Sequence, residues 1–527
     1  MQHPKPNAGK IVLAGRGAVE LRIRVKKSYE KISLLLAGLV LSFLTFASVL
    51  DDRFNAAFGP LFHRAANPPP PVAPSQGLDP LHRWNLIAIN ASGLDHTPVA
   101  PGENRVFGEQ LGPGRASRAM AIVHIAMFDA LDAVLGGYTS YTGTHAGPGS
   151  VSVDAAISQA ARDTLAAMFP SQTPTFNAYL AEDLARVTNG RQRANGIDLG
   201  QRTAAAILAM RLNDGSQIPE PHLGVDYFTI DLPGHWRQDP ISLIPLALGA
   251  YWGQCIPFVV TSTSQFRAPP PPDMTSADYT AAYNEVKSIG GDGIVTPTQR
   301  TEEQTFIGTF WAYDGTPSLC APPRLYNQIT VQIADQRELN SIQFARLLAL
   351  VNVAMADAGT TIWESKYHYD FWRPITGIRE SDRGTGPTHR GDGNPDTIGD
   401  RRFMPLGAPA SNLTGPNFTP PFPAYPSGHA GFGGAIFEIM RRFYDTDNIA
   451  FTFVSDEFNG QTRDNQGNIR PYRPRSFTTL SQAEEENGQS RIYLGIHWSF
   501  DKTEGIALGR RVGDYVFDHA FTPIRPR

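Results

Sequence analysis

Cysteine is nearly missing from this chain: Cys255 and Cys320 are the only two in 527 residues. Two thiols cannot build a zinc ribbon or a CxxC redox motif, and one disulfide is the most they could form. Whether they pair or stay as buried thiols is left open by the sequence. Charge is scarce too. Asp, Glu, Lys and Arg make up 18% of the chain, against about 25% in an ordinary globular protein. The 46 basic and 50 acidic side chains nearly cancel, to a formal −4. No long block of like charges occurs, so the chain is not a general nucleic-acid binder. There is no tandem repeat, and strand-like stretches are few and short, with 450–454 the clearest. Apolar residues are plentiful at 41%, alongside 49 Gly and 43 Pro. A sizeable core with long ordered loops is therefore expected.

One long apolar run lies near the start. Arg22, Arg24, Lys26, Lys27 and Lys31 precede an apolar stretch over 32–49. A basic flank followed by apolar residues is the signal-sequence pattern, and about 18 residues also suit a membrane-spanning helix. Residues 1–50 are read as a signal peptide or a single membrane anchor. Either exports the rest of the chain, because the positive flank stays inside. The product is expected to be periplasmic, extracellular or anchored with its catalytic part outside, touching a membrane only through this segment. Residues 51–80, with Pro68, Pro69, Pro70 and Pro71 in a row, read as a stiff Pro-rich linker. The folded part is expected to begin near Leu81.

From there the apolar spacing is helical. Residues 115–135, 153–168, 176–187 and 194–212 repeat at three and four, and the pattern resumes at 276–289, 300–311, 341–363, 428–444, 481–493 and 502–519. The class is mainly α with long irregular connections.

Three stretches in the second half carry unusual polar residues. The first runs from Lys366 to Arg373 and Pro374. Its two cations are seven apart, so on one helix they would share a face, with Pro374 ending that helix. Two cations among Tyr367, Tyr369, Phe371 and Trp372 call for an anion. The second is Pro426, Ser427, Gly428, His429, a turn leading into a helix. Ser427 suits an N-cap, and a helix N-terminus offers free N–H groups to an anion, with His429 placed to donate a proton. In the third, His497 and Asp501 are four apart, and the carboxylate can hold one imidazole nitrogen and leave the other free. Arg491 precedes them, with Gly495 marking a break that lets both turn inward. Each stretch alone is compatible with ordinary structure: snorkelling cations, a capped helix, a salt-bridged Arg. Together they supply three cations, neutral donors and two histidines, a set suited to gripping a tetrahedral oxyanion for in-line displacement.

The three stretches, as K-x6-RP, PSGH and SR-x5-H-x3-D, resemble the type 2 phosphatidic acid phosphatase and vanadium haloperoxidase superfamily. Phe422 with its flanking prolines, Trp363 before the Lys, and Phe310 to Gly315 look like the chloroperoxidase-like group, where algal bromoperoxidases carry a second histidine at the position of Phe422. The resemblance covers most of the chain after the linker. It implies a mainly α fold of two helical bundles, N-terminal over 81–297 and catalytic over 298–527. It implies a vanadate cofactor, in a site that phosphate could also occupy. His497 would bind vanadium. Lys366, Arg373, Arg491, Ser427 and the Gly428 amide would hold the oxygens. His429 would act as acid/base, Asp501 would orient His497, and Asp314 would pair with Arg491. Trp363 and Phe422 would line a halide pocket. Hydrogen peroxide and a halide would be substrates, with a small organic acceptor as a further partner and hypohalous acid or an equivalent as product. The vanadium would act as a Lewis acid, without changing oxidation state.

The same ligands would also serve an acid phosphatase working through a phosphohistidine at His497, with His429 protonating the leaving group. Vanadate and phosphate are near isosteres, so the ligands do not separate the two readings, and the Trp363–Phe422 flank favours the haloperoxidase. An inactive anion-binding scaffold is a third reading, disfavoured because every catalytic position is filled. The acidic stretch Asp392, Asn394, Asp396, Asp400 lacks the Gly and the terminal Glu of a calcium loop and reads as a turn-rich loop.

Overall fold

The computed structural model describes residues 53–54, 57–64 and 73–524. The basic and apolar N-terminal segment and the proline run lie outside the described residues. From Phe54 onward the chain clusters as one compact unit.

Thirteen helices occur among the described residues: α1 (Pro80–Asp95), α2 (Gly112–Leu135), α3 (Val153–Met168), α4 (Thr173–Arg186), α5 (Gly190–Met210), α6 (Ala277–Ile289), α7 (Glu302–Phe310), α8 (Pro322–Gln336), α9 (Ser341–Tyr369), α10 (Pro374–Glu380), α11 (Gly428–Tyr444), α12 (Leu480–Tyr493) and α13 (Ser499–His519). Sheet is confined to two short antiparallel ribbons. In one, β1 (His63–Arg64) pairs with β2 (Leu413–Thr414). In the other, β3 (Phe451–Phe453) pairs with β4 (Arg475–Phe477). The mainly α class expected from the periodicity is what the chain forms.

Three helices are not evident in that periodicity: α1, α8 and α10. Each opens on proline, at Pro80, at Pro322 and Pro323, and at Pro374. Proline breaks a helix interior but is well placed in the first turn, where its missing N–H has no partner to lose. Pro374 therefore begins a helix rather than ending one.

Helix α9 is the axis of the molecule. It is capped by Asn340, whose side chain accepts from Gln343 N while Gln343 reaches back to Asn340. It packs against α2 on one side and against α11 and α13 on the other. Helices α2, α3 and α5 complete the first bundle, and α11, α12 and α13 the second. By length and composition α9 could cross a membrane, but it is buried along most of its length within the protein. Its Asp357 accepts the backbone N–H groups of Phe258, Val259 and Val260 at 2.6–2.9 Å, fixing the long connection before α6.

The pair α11–α13 is the closest packed. Gly431 and Gly434 on α11 face Gly505, Gly509 and Gly513 on α13. A side chain at Gly505 would lie 2.7 Å from Ser427 O, and one at Gly513 would lie 2.7 Å from Ala435 O. Glycine at these positions lets two backbones approach at van der Waals distance.

Residues 51–80 do not form a linker throughout. Phe58 and Phe62 are buried against Phe107, Ile244, Leu413 and Phe418, in a small core of their own. Cys255 and Cys320 are both buried free thiols. The Asp392–Asp400 loop uses its polar groups internally. Asp392 accepts from Asn394 N and Thr397 Oγ, and Asn394 donates to Met274 O.

Candidate active site

Lys366 lies in the last turn of α9. The helix stops at Asp370, which takes the left-handed conformation (φ 51°). The chain then runs extended through Phe371 and Trp372 to Arg373, pinned by Trp372 N to Gly234 O and by Ala424 N to Phe371 O, each at 2.9 Å. Lys366 and Arg373 are therefore not on one helical face, as their spacing suggested. They converge because both bind the segment 422–424. Lys366 Nζ donates to Pro423 O and Ala424 O, both at 2.8 Å, and Arg373 Nε donates to Phe422 O at 2.9 Å. Phe422 and Trp363 pack with ring centroids 4.9 Å apart. The Phe422 ring lies 5.2 Å from Lys366 Nζ and 5.0 Å from the Arg373 guanidinium. Two buried cations are thus solvated by carbonyls and aromatic faces rather than by carboxylates.

Ser427 occupies the N-cap position of α11, yet its hydroxyl makes no capping bond and has no partner. Gly428 is the first helical residue, so its N–H is one of the free donors of the helix start. His429 follows. Its Nε2–H donates to Ala312 O, which leaves Nδ1 for a bound group, and its carbonyl is held by Asn487 Nδ2 at 2.9 Å.

Arg491 lies in the last turn of α12, and Gly495 (φ 70°) breaks the chain before α13. A side chain at Gly495 would overlap Gly290. His497 precedes α13 rather than riding on it, and Asp501 lies in the first turn of that helix. The expected pairing forms across the helix start. Arg373 Nη1 donates to His497 Nε2 at 2.9 Å, so the imidazole proton is on Nδ1, which donates to Asp501 Oδ2 at 2.8 Å. The same oxygen accepts Trp498 N–H at 3.0 Å. Close packing of the glycine stripe brings this turn to the PSGH turn, where Ser427 N donates to Asp501 O at 2.9 Å. Arg491 Nη2 meets Asp314 Oδ1 at 2.5 Å.

The structure therefore gathers every site residue expected from the sequence. Trp363, Phe422, Gly428, His429, Arg491, His497 and Asp314 line one cavity of about 60 Å³. Lys366, Arg373 and Ser427 stand behind them, fully or almost fully buried.

The electrostatics follow from burial. Lys366 is driven well below the usual amine range by burial and by Arg373. Burial brings Arg373 down to about 9, which leaves it cationic at neutral pH. Both histidines are pushed well below their ordinary range, first by burial and then by the neighbouring cations, so both are neutral. Burial raises Asp314 against the pull of Arg491, and brings Asp501 to about 7. Asp314 Oδ2 and Asp501 Oδ1 are buried without a partner, but the unpartnered donors of the site outnumber them. Arg373 Nη2, Arg491 Nε and Nη1, and Ser427 Oγ are all buried without a partner. A buried donor left unpaired costs roughly 1–3 kcal/mol. Four of them in one site fit an oxyanion with several oxygens, which is what vanadate is.

Three groups in the site escaped the sequence reading. The carbonyls of 422–424 carry no side-chain signal. His96 lines the cavity from the end of α1, a helix the periodicity had not revealed. Phe58 lines it from the stretch read as linker. The spacing of Phe54, Phe58 and Phe62, four apart, was the available sign.

The fold and the site define a vanadate-type oxyanion enzyme of the two-bundle class, and the comparisons with known proteins agree. Residues 346–526 match the family model described as VCPO second helical-bundle domain. A vanadium chloroperoxidase of Curvularia inaequalis is 32% identical over 504 residues, spanning 79% of this chain and 78% of the relative. Among solved structures, a bacterial vanadium-dependent iodoperoxidase superposes with TM-score 0.64 at 22% identity, covering 84% of this chain and 96% of that one. An apo bacterial vanadium-dependent chloroperoxidase does so with TM-score 0.57 at 16% identity, covering 78% and 94%. The chain belongs to the vanadium haloperoxidase family. It is a peroxidase-type oxidoreductase, and none of these relatives favours the phosphatase reading.

Proposed function

We propose that this protein binds vanadate in the cradle around His497 and uses hydrogen peroxide to oxidise a halide to hypohalous acid. The observation that carries this is the set of four buried, unpartnered donors on Arg373, Arg491 and Ser427. They share the site with an imidazole whose Nδ1 is fixed by Asp501 and whose Nε2 accepts from Arg373 Nη1.

Bound vanadate would supply Lewis-acid activation of peroxide toward the halide. The chain's own residues do the rest. At His497 the Nε2 lone pair would pass from Arg373 Nη1 to the metal, while Asp501 holds the opposite Nδ1–H so that the ring cannot turn. Arg373, Arg491, Ser427 and the Gly428 N–H hold the oxygens. Lys366 uses two of its three donors on Pro423 O and Ala424 O, which aims the third into the site. His429 is neutral with its proton on Nε2, so it starts as a base and accepts a proton from entering peroxide at Nδ1. Trp363 and Phe422 form an apolar, weakly hydrated wall beside Lys366, where a halide sheds water and faces a cation. We further propose that the protein is exported, on the strength of the basic and then apolar order of residues 22–49.

The test uses protein freed of phosphate. Orthovanadate is titrated in while peroxide-dependent bromide oxidation is followed at mildly acid pH. Saturable, vanadate-dependent turnover that disappears in His497→Ala is expected. Turnover independent of vanadate, or retained in His497→Ala, would sink the assignment.

A further inference from the structure

The cavity that holds the vanadate cradle is lined in part by a segment far away in sequence. Phe54 and residues 57–64 form an arm whose phenylalanines stack along one side. Phe54 and Phe58 lie 5.0 Å apart, both lie 6.0 Å from Phe107, and Phe62 meets Phe418 edge-on at 5.8 Å. Two glycines fix the arm closely. At Gly59 (φ 85°) a side chain would lie 2.5 Å from Ser242 O, and at Gly415 one would lie 2.8 Å from Leu61 O. The β1–β2 ribbon anchors its far end, pairing His63 with Thr414. Of the three rings only Phe58 reaches the cavity. There it shares the lining with Leu246, Phe418 and Phe422 and with the polar His429, Arg491 and His497.

The whole cavity, the cradle included, is about 60 Å³. Apolar cavities that take a benzene ring measure about 150 Å³. Small ions and peroxide are of that scale, and an aromatic ring is not.

We propose that Phe58 sets the size limit of the site, admitting halide and peroxide and excluding aromatic acceptors. This rests on the haloperoxidase function above. The site then carries out X⁻ + H2O2 + H⁺ → HOX + H2O. The hypohalous acid leaves, and ArH + HOX → ArX + H2O takes place outside the protein. Removing the ring of Phe58 leaves room for an aromatic acceptor beside the cradle, where the same oxidised halogen is delivered within the protein.

The experiment is a competition between two phenols, one unsubstituted and one with a bulky para substituent, with bromide, peroxide and the vanadate-loaded full-length protein. Wild type should brominate them in the ratio given by added hypobromous acid. Phe58→Ala should shift that ratio about tenfold toward the smaller phenol. Phe62→Ala removes a similar ring from the same arm without touching the cavity, and should keep the free-reagent ratio. Phe58→Leu keeps apolar packing and should shift the ratio in the same direction by less. It serves as the test if Phe58→Ala does not fold.

The proposal is overturned if the Phe58 variants oxidise bromide yet keep the free-reagent ratio. It is also overturned if Phe62→Ala shifts the ratio as much, or if wild type already departs from it. Absence of vanadate-dependent bromide oxidation in wild type is a different failure. It is visible before any variant is made, and it removes the haloperoxidase function itself.

Discussion

Asp501 holds His497 from the first turn of the helix that His497 precedes. One carboxylate oxygen accepts both His497 Nδ1–H, at 2.8 Å, and Trp498 N–H, at 3.0 Å. The helix start and the imidazole are thus fixed by the same atom. Asp501→Ala frees both. Loss of such a partner typically costs 10–100-fold in metal affinity or activity. Vanadate titration of Asp501→Ala should show a dissociation constant raised by about that factor. An unchanged constant would mean that His497 is held by its neighbours alone.

Arg491 contributes two of the unpartnered donors, Nε and Nη1, while Nη2 is occupied by Asp314. A hydrogen bond to a charged group is worth about 1.5–3 kcal/mol. Arg491→Lys retains charge but loses the fork. It should weaken vanadate and inorganic phosphate alike, by roughly tenfold or more. Calorimetric titration with each anion checks this, and a loss confined to vanadate would point to a role other than gripping oxygens.

The glycine stripe between α11 and α13 leaves no room for a methyl group. Gly509→Ala would press a side chain into Gly431 O. Overpacking of this kind costs about 1–3 kcal/mol, occasionally more. Because the same two helices carry Ser427 and Asp501, the expected result is a lowered melting temperature together with weakened vanadate binding. A stable Gly509→Ala variant with normal affinity would show that the helices can separate without disturbing the cradle.

His82, at the start of α1, lies between two carboxylates. It pairs with Asp79, the N-cap of its own helix, and with Asp335 of α8 at 2.8 Å. Its pKa is raised, chiefly by the bond to Asp79. A raised folded pKa means that the native state holds the proton more tightly than the unfolded chain. The contribution is complete below about pH 6.5, the unperturbed value, and is lost as pH climbs through the raised value. The stability gap between wild type and His82→Gln should therefore shrink from pH 5.5 to pH 8.5 in urea unfolding. A constant gap would refute the pairing.

Much of the cradle was legible in the sequence because its chemistry is carried by side chains at fixed spacings. Lys366, Arg373, Ser427, His429, Arg491 and His497 announce themselves as polar residues in apolar surroundings. The local geometry was less legible. The seven-residue spacing of Lys366 and Arg373 mimics a helix face, but the chain leaves the helix at Asp370. Four-residue spacing puts His497 and Asp501 on one helix on paper, whereas the bond forms across its cap. Helices α1, α8 and α10 were hidden because proline reads as a stop unless its place in the first turn is known. The arm at Phe54 and 57–64 was hidden because three phenylalanines in a Pro- and Ala-rich stretch gain meaning only from Phe107 and Phe418, which lie far along the chain.

Helix α9 packs against both bundles, and the family-model match begins at residue 346, within its second turn. It is a party wall: each half of the molecule leans on it, and neither owns it. A gene cut ahead of α9 would strand the first half without its fourth helix, and a cut behind it would take Trp363 and Lys366 from the second. The two halves cannot be shuffled, trimmed or transplanted as cassettes. Circular permutants and split versions should tolerate breaks in the surface loops of the first half far better than any break close to 341–369.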